Sequence, residues 1–214
     1  MSEIERFVRG FQRFRRQYFD HQPELFRELK EGQHPGTLLI GCCDSRTDPA
    51  HLLGCDPGDI FTVRNVANLV PPCDPKQHFA GVSSAIQFAV QQLKVQRIIV
   101  MGHARCGGIR ALVERRFSGE DPLDYIGRWI RIAQPALDKV EVQLPSASED
   151  ERRQACELAS ILVSLKNLET YPWIQEALSA GQLTLHGWYF DLDRGALMAY
   201  SPRADAFLPM VDQA

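Results

Sequence analysis

The run Arg97–Gly102, RIIVMG, is continuously apolar after its arginine. A strand with one wet face alternates polar and apolar residues. A strand without that alternation is covered on both faces, as in a parallel sheet flanked by helices. Further strand-like runs lie at Thr37–Cys42, Asp59–Val63 and Leu183–Tyr189, and a short last one at Gly195–Tyr200 reads as an edge. Helical patterns separate them. Gly81–Leu93 reads as one helix. Ser148 with Glu151 forms a capping box that opens another, whose Ala155, Leu158, Ile161, Leu162, Leu165 and Leu168 make an apolar stripe. Pro172 ends that helix or begins the next. Strands alternating with helices predict an α/β fold: a central, mostly parallel β-sheet of four strands plus a short C-terminal edge strand, flanked by helices.

Ahead of the first strand, Ser2 and Glu5 form a second capping box. Ile4, Phe7, Val8, Phe11, Phe14 and Tyr18 then recur at helical spacing. Arg6, Arg9, Arg13, Arg15 and Arg16 on the same segment read as a solvated basic face. The aromatic stripe has to be covered, and a neighbouring subunit is the natural cover. No linker divides the rest, so the expected organisation is one domain over 1–214, with an N-terminal helical arm at 1–33 and an α/β domain at 34–214. A chain of 214 residues can bury a core without staples. Lys plus Arg total 24 against 27 Asp plus Glu, a net charge of -3, which argues against a dedicated nucleic-acid binder. No apolar run approaches the ~18 residues a membrane helix needs. The opening MSEIERFVRGF carries charges where a signal peptide needs its apolar stretch. The expected location is the cytoplasm or a similar reducing compartment, where Cys42, Cys43, Cys55, Cys73, Cys106 and Cys156 are free thiols, metal ligands or catalytic groups.

Two clusters carry the chemistry. Cys42-Cys43-Asp44-Ser45-Arg46 follows the first strand, and His103-Ala104-Arg105-Cys106-Gly107-Gly108 follows the third. Open α/β sheets place their sites at the C-terminal ends of strands. A Cys and a His two residues apart can both reach one metal ion, and a cysteine from the other strand end completes a Cys2His set suited to Zn²⁺. Three protein ligands leave one tetrahedral position open, as in a catalytic zinc site. Successive side chains of an extended segment point to opposite sides, so one of the paired cysteines faces the metal; local geometry does not say which.

The motifs CCDSR and GHARCGG, together with Pro57–Pro72, the AGVSSAIQFAV helix and His186–Asp191, resemble the β-class carbonic anhydrases over almost the whole chain, and most closely their plant-type and cyanate-operon-associated bacterial branch. The resemblance implies one zinc per chain on Cys42, His103 and Cys106, leaving Cys43 as the variable position. It implies an Asp44–Arg46 catalytic dyad beside the metal. It also implies a substrate pocket of Gln33, Phe61, Val66, Phe88 and Gly107, partly shared with a neighbouring subunit. Phe88 stands where that branch has a tyrosine, which removes a hydroxyl.

The implied activity is zinc-dependent reversible hydration of carbon dioxide to bicarbonate and a proton, in a homodimer or larger even-numbered homo-oligomer that has neither nucleic acid nor a membrane span. Arg46 would hold Asp44 ionised through a two-pronged ion pair, and Asp44 would orient the attacking oxygen. Relatives that hydrolyse carbon disulfide or carbonyl sulfide offer an alternative on the same ligands. A noncatalytic zinc-stabilised assembly protein would not need the dyad. A Cys42–Cys43 redox pair would be strained and would leave His103 and Cys106 unexplained. One branch of the family also has a bicarbonate-stabilised closed state with a Trp, an Arg and a Tyr around the anion; these positions are Leu39, Arg64 and Phe190 here, so that state is expected to be absent or weak.

Overall fold

A computed structural model describes residues 2–76 and 80–210, which fall into two compact units, Met1–His34 and Pro35–Ala214. In the first unit, α1 (Glu3–Arg15) opens with the Ser2–Glu5 capping box and runs into a wider π-helical turn at Arg16–His21. A second helix, α2 (Pro23–Leu29), starts on a proline whose missing N–H costs nothing at that position. Phe14, Tyr18 and Phe26 pack ring against ring, with centroids 4.8 to 6.0 Å apart. The outer face of α1 stays apolar and exposed at Ile4, Phe7, Val8 and Phe11.

The second unit is built on one sheet. Its elements are β1 (Thr37–Cys42), α3 (Pro49–Leu53), β2 (Ile60–Asn65), α4 (Gly81–Gln87), β3 (Arg97–His103), α5 (Gly107–Val113), α6 (Tyr125–Ile130), α7 (Gln134–Gln143), α8 (Glu149–Leu168), α9 (Pro172–Ser179), β4 (Thr184–Asp191), β5 (Ala196–Ser201) and β6 (Ala206–Pro209). The strand order is β2-β1-β3-β4-β5-β6. The first four strands are parallel, and β5 and β6 are antiparallel additions. This confirms the α/β sheet flanked by helices and corrects the strand count to six. β5 lies inside the sheet between β4 and β6, and β6 is the edge. Four residues ending in Pro209 are too few to show a period, and proline at a strand end suits an edge.

Both faces of the sheet are covered, as the unbroken run in β3 requires. Leu38, Ile40, Ile98 and Val100 point into one core, while Leu39, Ile99 and Met101 point into another on the opposite face. Full burial of each such side chain contributes roughly 1.5–3 kcal/mol. The long α8, with its Ser148–Glu151 capping box, lies against β3 and β4. It comes close because Gly102 has no side chain: a Cβ there would sit 2.8 Å from Ile161 Cδ1. Its buried residues are Cys156, Glu157, Ser160, Ile161, Ser164 and Leu168, so the buried face keeps Ile161 and Leu168 of the apolar stripe and adds small and polar residues beside them. The segment read as one helix over Gly81–Leu93 is α4 continued by a π-helical turn at Phe88–Gln92, closed by a bond from Leu93 N–H to Phe88 O of 3.0 Å.

Candidate metal centre

β1 and β3 are neighbours in register, Gly41 opposite Met101, so their C-terminal ends bring Cys42 next to His103. The chain then turns through Ala104 and a left-handed Arg105 (φ 58°) to Cys106, the N-cap of α5. Cys42 Sγ, Cys106 Sγ and a ring nitrogen of His103 lie within 4.8 Å of one another, and all three residues are buried. His103 Nδ1 is 2.8 Å from Ala104 O. A carbonyl only accepts, so Nδ1 carries the proton and Nε2 presents its lone pair. Nε2 is buried and has no hydrogen-bond partner.

The donors fit a soft divalent cation. The Cys42 thiol is pulled down to about 4, foremost by a hydrogen bond from Cys106 and further by His103, against the effect of burial. Cys106 is pushed up by the same partnership and by burial. Two buried sulfurs this close do not both ionise without a positive charge between them. A Zn²⁺ ion would supply that charge and occupy the orphaned lone pair of Nε2.

Asp44 stands beside the three donors. Arg46 donates from Nε to Oδ1 at 2.9 Å and from Nη2 to Oδ2 at 2.7 Å, and its backbone N–H adds a third bond at 3.0 Å. The guanidinium holds the Asp44 carboxyl well below the usual carboxylate range. Asp44 Oδ2 lies 4.0 Å from His103 Nε2. Arg46 Nη2 also donates to Arg105 O at 3.2 Å, joining the loop after β1 to the loop after β3.

Sequence reasoning underrated Arg64. It donates to Cys42 O at 2.9 Å, Asp44 O at 2.7 Å and Asp48 Oδ2 at 2.8 Å, clamping the loop that carries Cys42 and Asp44. Asp48 in turn caps α3 through His51 N–H at 3.2 Å. In the sequence, Arg64 stands out only as the one retained anion-holding position of a closed state, which gives no sign of this clamp. Glu157 gave no signal, because a glutamate inside a helix reads as solvent-facing.

Phe61 and Phe88 stack with centroids 5.9 Å apart, and Phe88 and Val66 are exposed. Trp129 Nε1 donates to Val66 O at 2.8 Å, and an open groove of about 1070 Å³, mostly apolar, runs beside Cys43, Val66, Pro72, Tyr125 and Trp129. A Cβ on Gly107 would meet nothing within 4 Å. Gly108 is the glycine forced by packing: a Cβ there would sit 2.8 Å from Val66 Cγ1 and 3.0 Å from Ala67 Cβ. Gln33 is exposed in the first unit, on the segment between α2 and β1.

A carbonic anhydrase family model matches residues 37–197. The mitochondrial β carbonic anhydrase 6 of Arabidopsis thaliana is 39% identical over 195 residues, covering 91% of this chain and 67% of the relative. The solved β-carbonic anhydrase CcaA superposes with a TM-score of 0.90 at 32% identity, over 100% of this chain and 94% of that one. CafA of Aspergillus fumigatus gives 0.80 at 29% identity, over 95% of each chain. The chain belongs to the β class of the carbonic anhydrases. These are zinc enzymes that interconvert carbon dioxide and bicarbonate, and Cys42, His103 and Cys106 can hold the metal. Among the described residues no helix is long and apolar enough to cross a membrane.

Proposed function

We propose that Cys42, His103 and Cys106 hold one zinc ion per chain and that Asp44 and Arg46 position the attacking oxygen for carbon dioxide hydration. When bound, the metal supplies a Lewis acid that makes hydroxide available near neutral pH. The observation that carries the reading is the pairing of three buried, mutually close donors with a carboxylate that is already gripped from the other side. Because Arg46 occupies both oxygens of Asp44, the carboxylate stays ionised and fixed, free to accept one hydrogen bond from the attacking O–H and so aim its lone pair. Phe61, Val66 and Phe88 form an apolar wall that receives carbon dioxide and keeps bulk water away. Gln33 would donate to a substrate oxygen in a pocket shared with a neighbouring subunit, as the family resemblance implies, and Gly107 leaves space beside the metal.

The working unit in this reading is a homodimer or a larger even-numbered homo-oligomer. The exposed apolar face of α1 supports it, as does the exposure of Phe88 and Val66. A chain 30% identical over 92% of this chain, with a TM-score of 0.77, comes from crystal structures of two tetrameric β-carbonic anhydrases of Sordaria macrospora. Cys43, Cys55, Cys73 and Cys156, which the proposed zinc does not use, are free thiols and support a reducing compartment such as the cytoplasm. The test is stopped-flow hydration of carbon dioxide by the purified protein before chelation, after chelation and after return of zinc. Activity that disappears and comes back supports the reading. Sulfide release from carbon disulfide without carbon dioxide hydration overturns it.

A further inference from the structure

Glu157 sits at the middle of α8, 5% exposed, directly behind the metal loop. Its Oε1 accepts from Cys106 N–H at 3.0 Å and its Oε2 from Tyr189 O–H at 2.8 Å. Arg105 is in the left-handed region at φ 58° and Cys106 is extended at φ -66°, ψ 120°. The turn aims one buried main-chain donor, Cys106 N–H, at the carboxylate.

We propose that Glu157 is a positioning residue for the metal centre: its carboxylate holds the loop His103–Cys106 from behind through Cys106 N–H, fixing Cys106 as a ligand and Arg105 O as the rest for Arg46. The proposal builds on the assignment of zinc to Cys42, His103 and Cys106. Volume alone does not explain a glutamate here. An apolar residue of the same length would fill the space without desolvating a carboxyl group. What the carboxyl adds is an acceptor for a buried N–H that has no strand or helix partner. The left-handed turn at Arg105 is uncommon for a residue with a side chain, and such turns persist when their surroundings hold them. Arg105 O in turn receives Arg46 Nη2 at 3.2 Å, so a loop that relaxed around Cys106 would also loosen the grip on Asp44. Tyr189, fully buried on β4 one register step from Phe190, keeps the carboxylate aimed.

The test compares zinc release to a chromogenic chelator, and the visible spectrum after cobalt substitution, across Glu157→Met, Glu157→Gln and the parent chain. Methionine keeps length and bulk but removes both acceptors. It should speed zinc release by about 10-fold or more and alter the thiolate-to-cobalt bands, with the thermal melt still cooperative. Glutamine keeps one acceptor and should recover most of the parent behaviour. Tyr189→Phe should move both readouts the same way by a smaller factor, and it carries the test if the methionine variant does not fold. Parent-like zinc release and spectra in Glu157→Met overturn the proposal, as does a glutamine variant no better than methionine, or an unchanged Tyr189→Phe protein where that one is decisive. A parent chain that binds no zinc at all, with Cys106→Ala indistinguishable from it, overturns the metal assignment itself.

Discussion

Arg46 holds both carboxylate oxygens of Asp44, and the same Asp44 stops 4.0 Å short of His103 Nε2. The carboxylate is thus at the edge of the metal centre and committed to the arginine. Arg46→Ala should lower kcat/KM for carbon dioxide hydration by roughly 10²-fold, the cost of a group displaced by about an ångström. Zinc content should remain near one per chain. Arg46→Lys should recover little, because an ammonium cannot make the two-pronged pair. Stopped-flow assay with metal analysis reads both quantities.

Metal content should follow the three buried donors and ignore the exposed thiol. Cys106→Ala and His103→Ala should purify with far less than one zinc per chain and without activity. Cys43→Ala should keep both, since Cys43 is exposed and outside the donor set. Elemental analysis of the purified variants decides it.

Assembly should depend on the apolar face of α1. Phe11 is 63% exposed, with Phe7 one turn and Ile4 two turns away on the same side. Phe11→Asp should shift the protein toward smaller species at micromolar concentration, as measured by light scattering. A parent chain that runs as a fully active monomer would contradict the proposed oligomer.

Bicarbonate should inhibit hyperbolically, without a sigmoidal onset. Arg64 spends its donors on Cys42 O, Asp44 O and Asp48, and Leu39 is fully buried against Ile99 and Met101. An anion arriving there would have to displace these bonds and desolvate among apolar side chains, so it gains little differential affinity for a second state. Steady-state inhibition curves at pH 8 are the check.

Stability should fall at alkaline pH in part through Cys156. Burial, with the charges of Glu157 and Glu141, pushes its thiol up to about 12 from 9.0. A thiol raised in the folded state stabilises fully below the unfolded value, and that contribution is lost as pH climbs from 9.0 toward about 12. Urea melts of Cys156→Ala should show a shallower decline across this window than the parent.

The four parallel strands and both motif clusters were legible because each leaves a local mark: an unbroken apolar run, a pair of cysteines, a His two residues from a Cys. β6 was not legible, since four residues carry no period. The buried face of α8 was legible only in part, for a different reason. Apolar spacing picks out Ile161 and Leu168, which are fully buried, and Leu158 and Leu165, which pack against the same core, but it passes over Cys156, Glu157, Ser160 and Ser164, which are buried beside them. Glu157 was hidden on that same face. Its partners, Cys106 N–H and the Tyr189 hydroxyl, are far away in the chain, and no local pattern announces a carboxyl group whose acceptors are used from behind.

Cys42 and His103 are roughly sixty residues apart in the chain but sit on adjacent strands. Until β1 and β3 have paired, no three-donor set exists for a metal to find. Zinc capture therefore has to follow or accompany that pairing, and once made it ties the neighbouring strands β1 and β3 together across their open ends. Metal starvation should act as a folding defect before it acts as a catalytic one: partly paired chains would accumulate with exposed apolar strands, and the cell would lose the protein to aggregation or degradation as well as its activity.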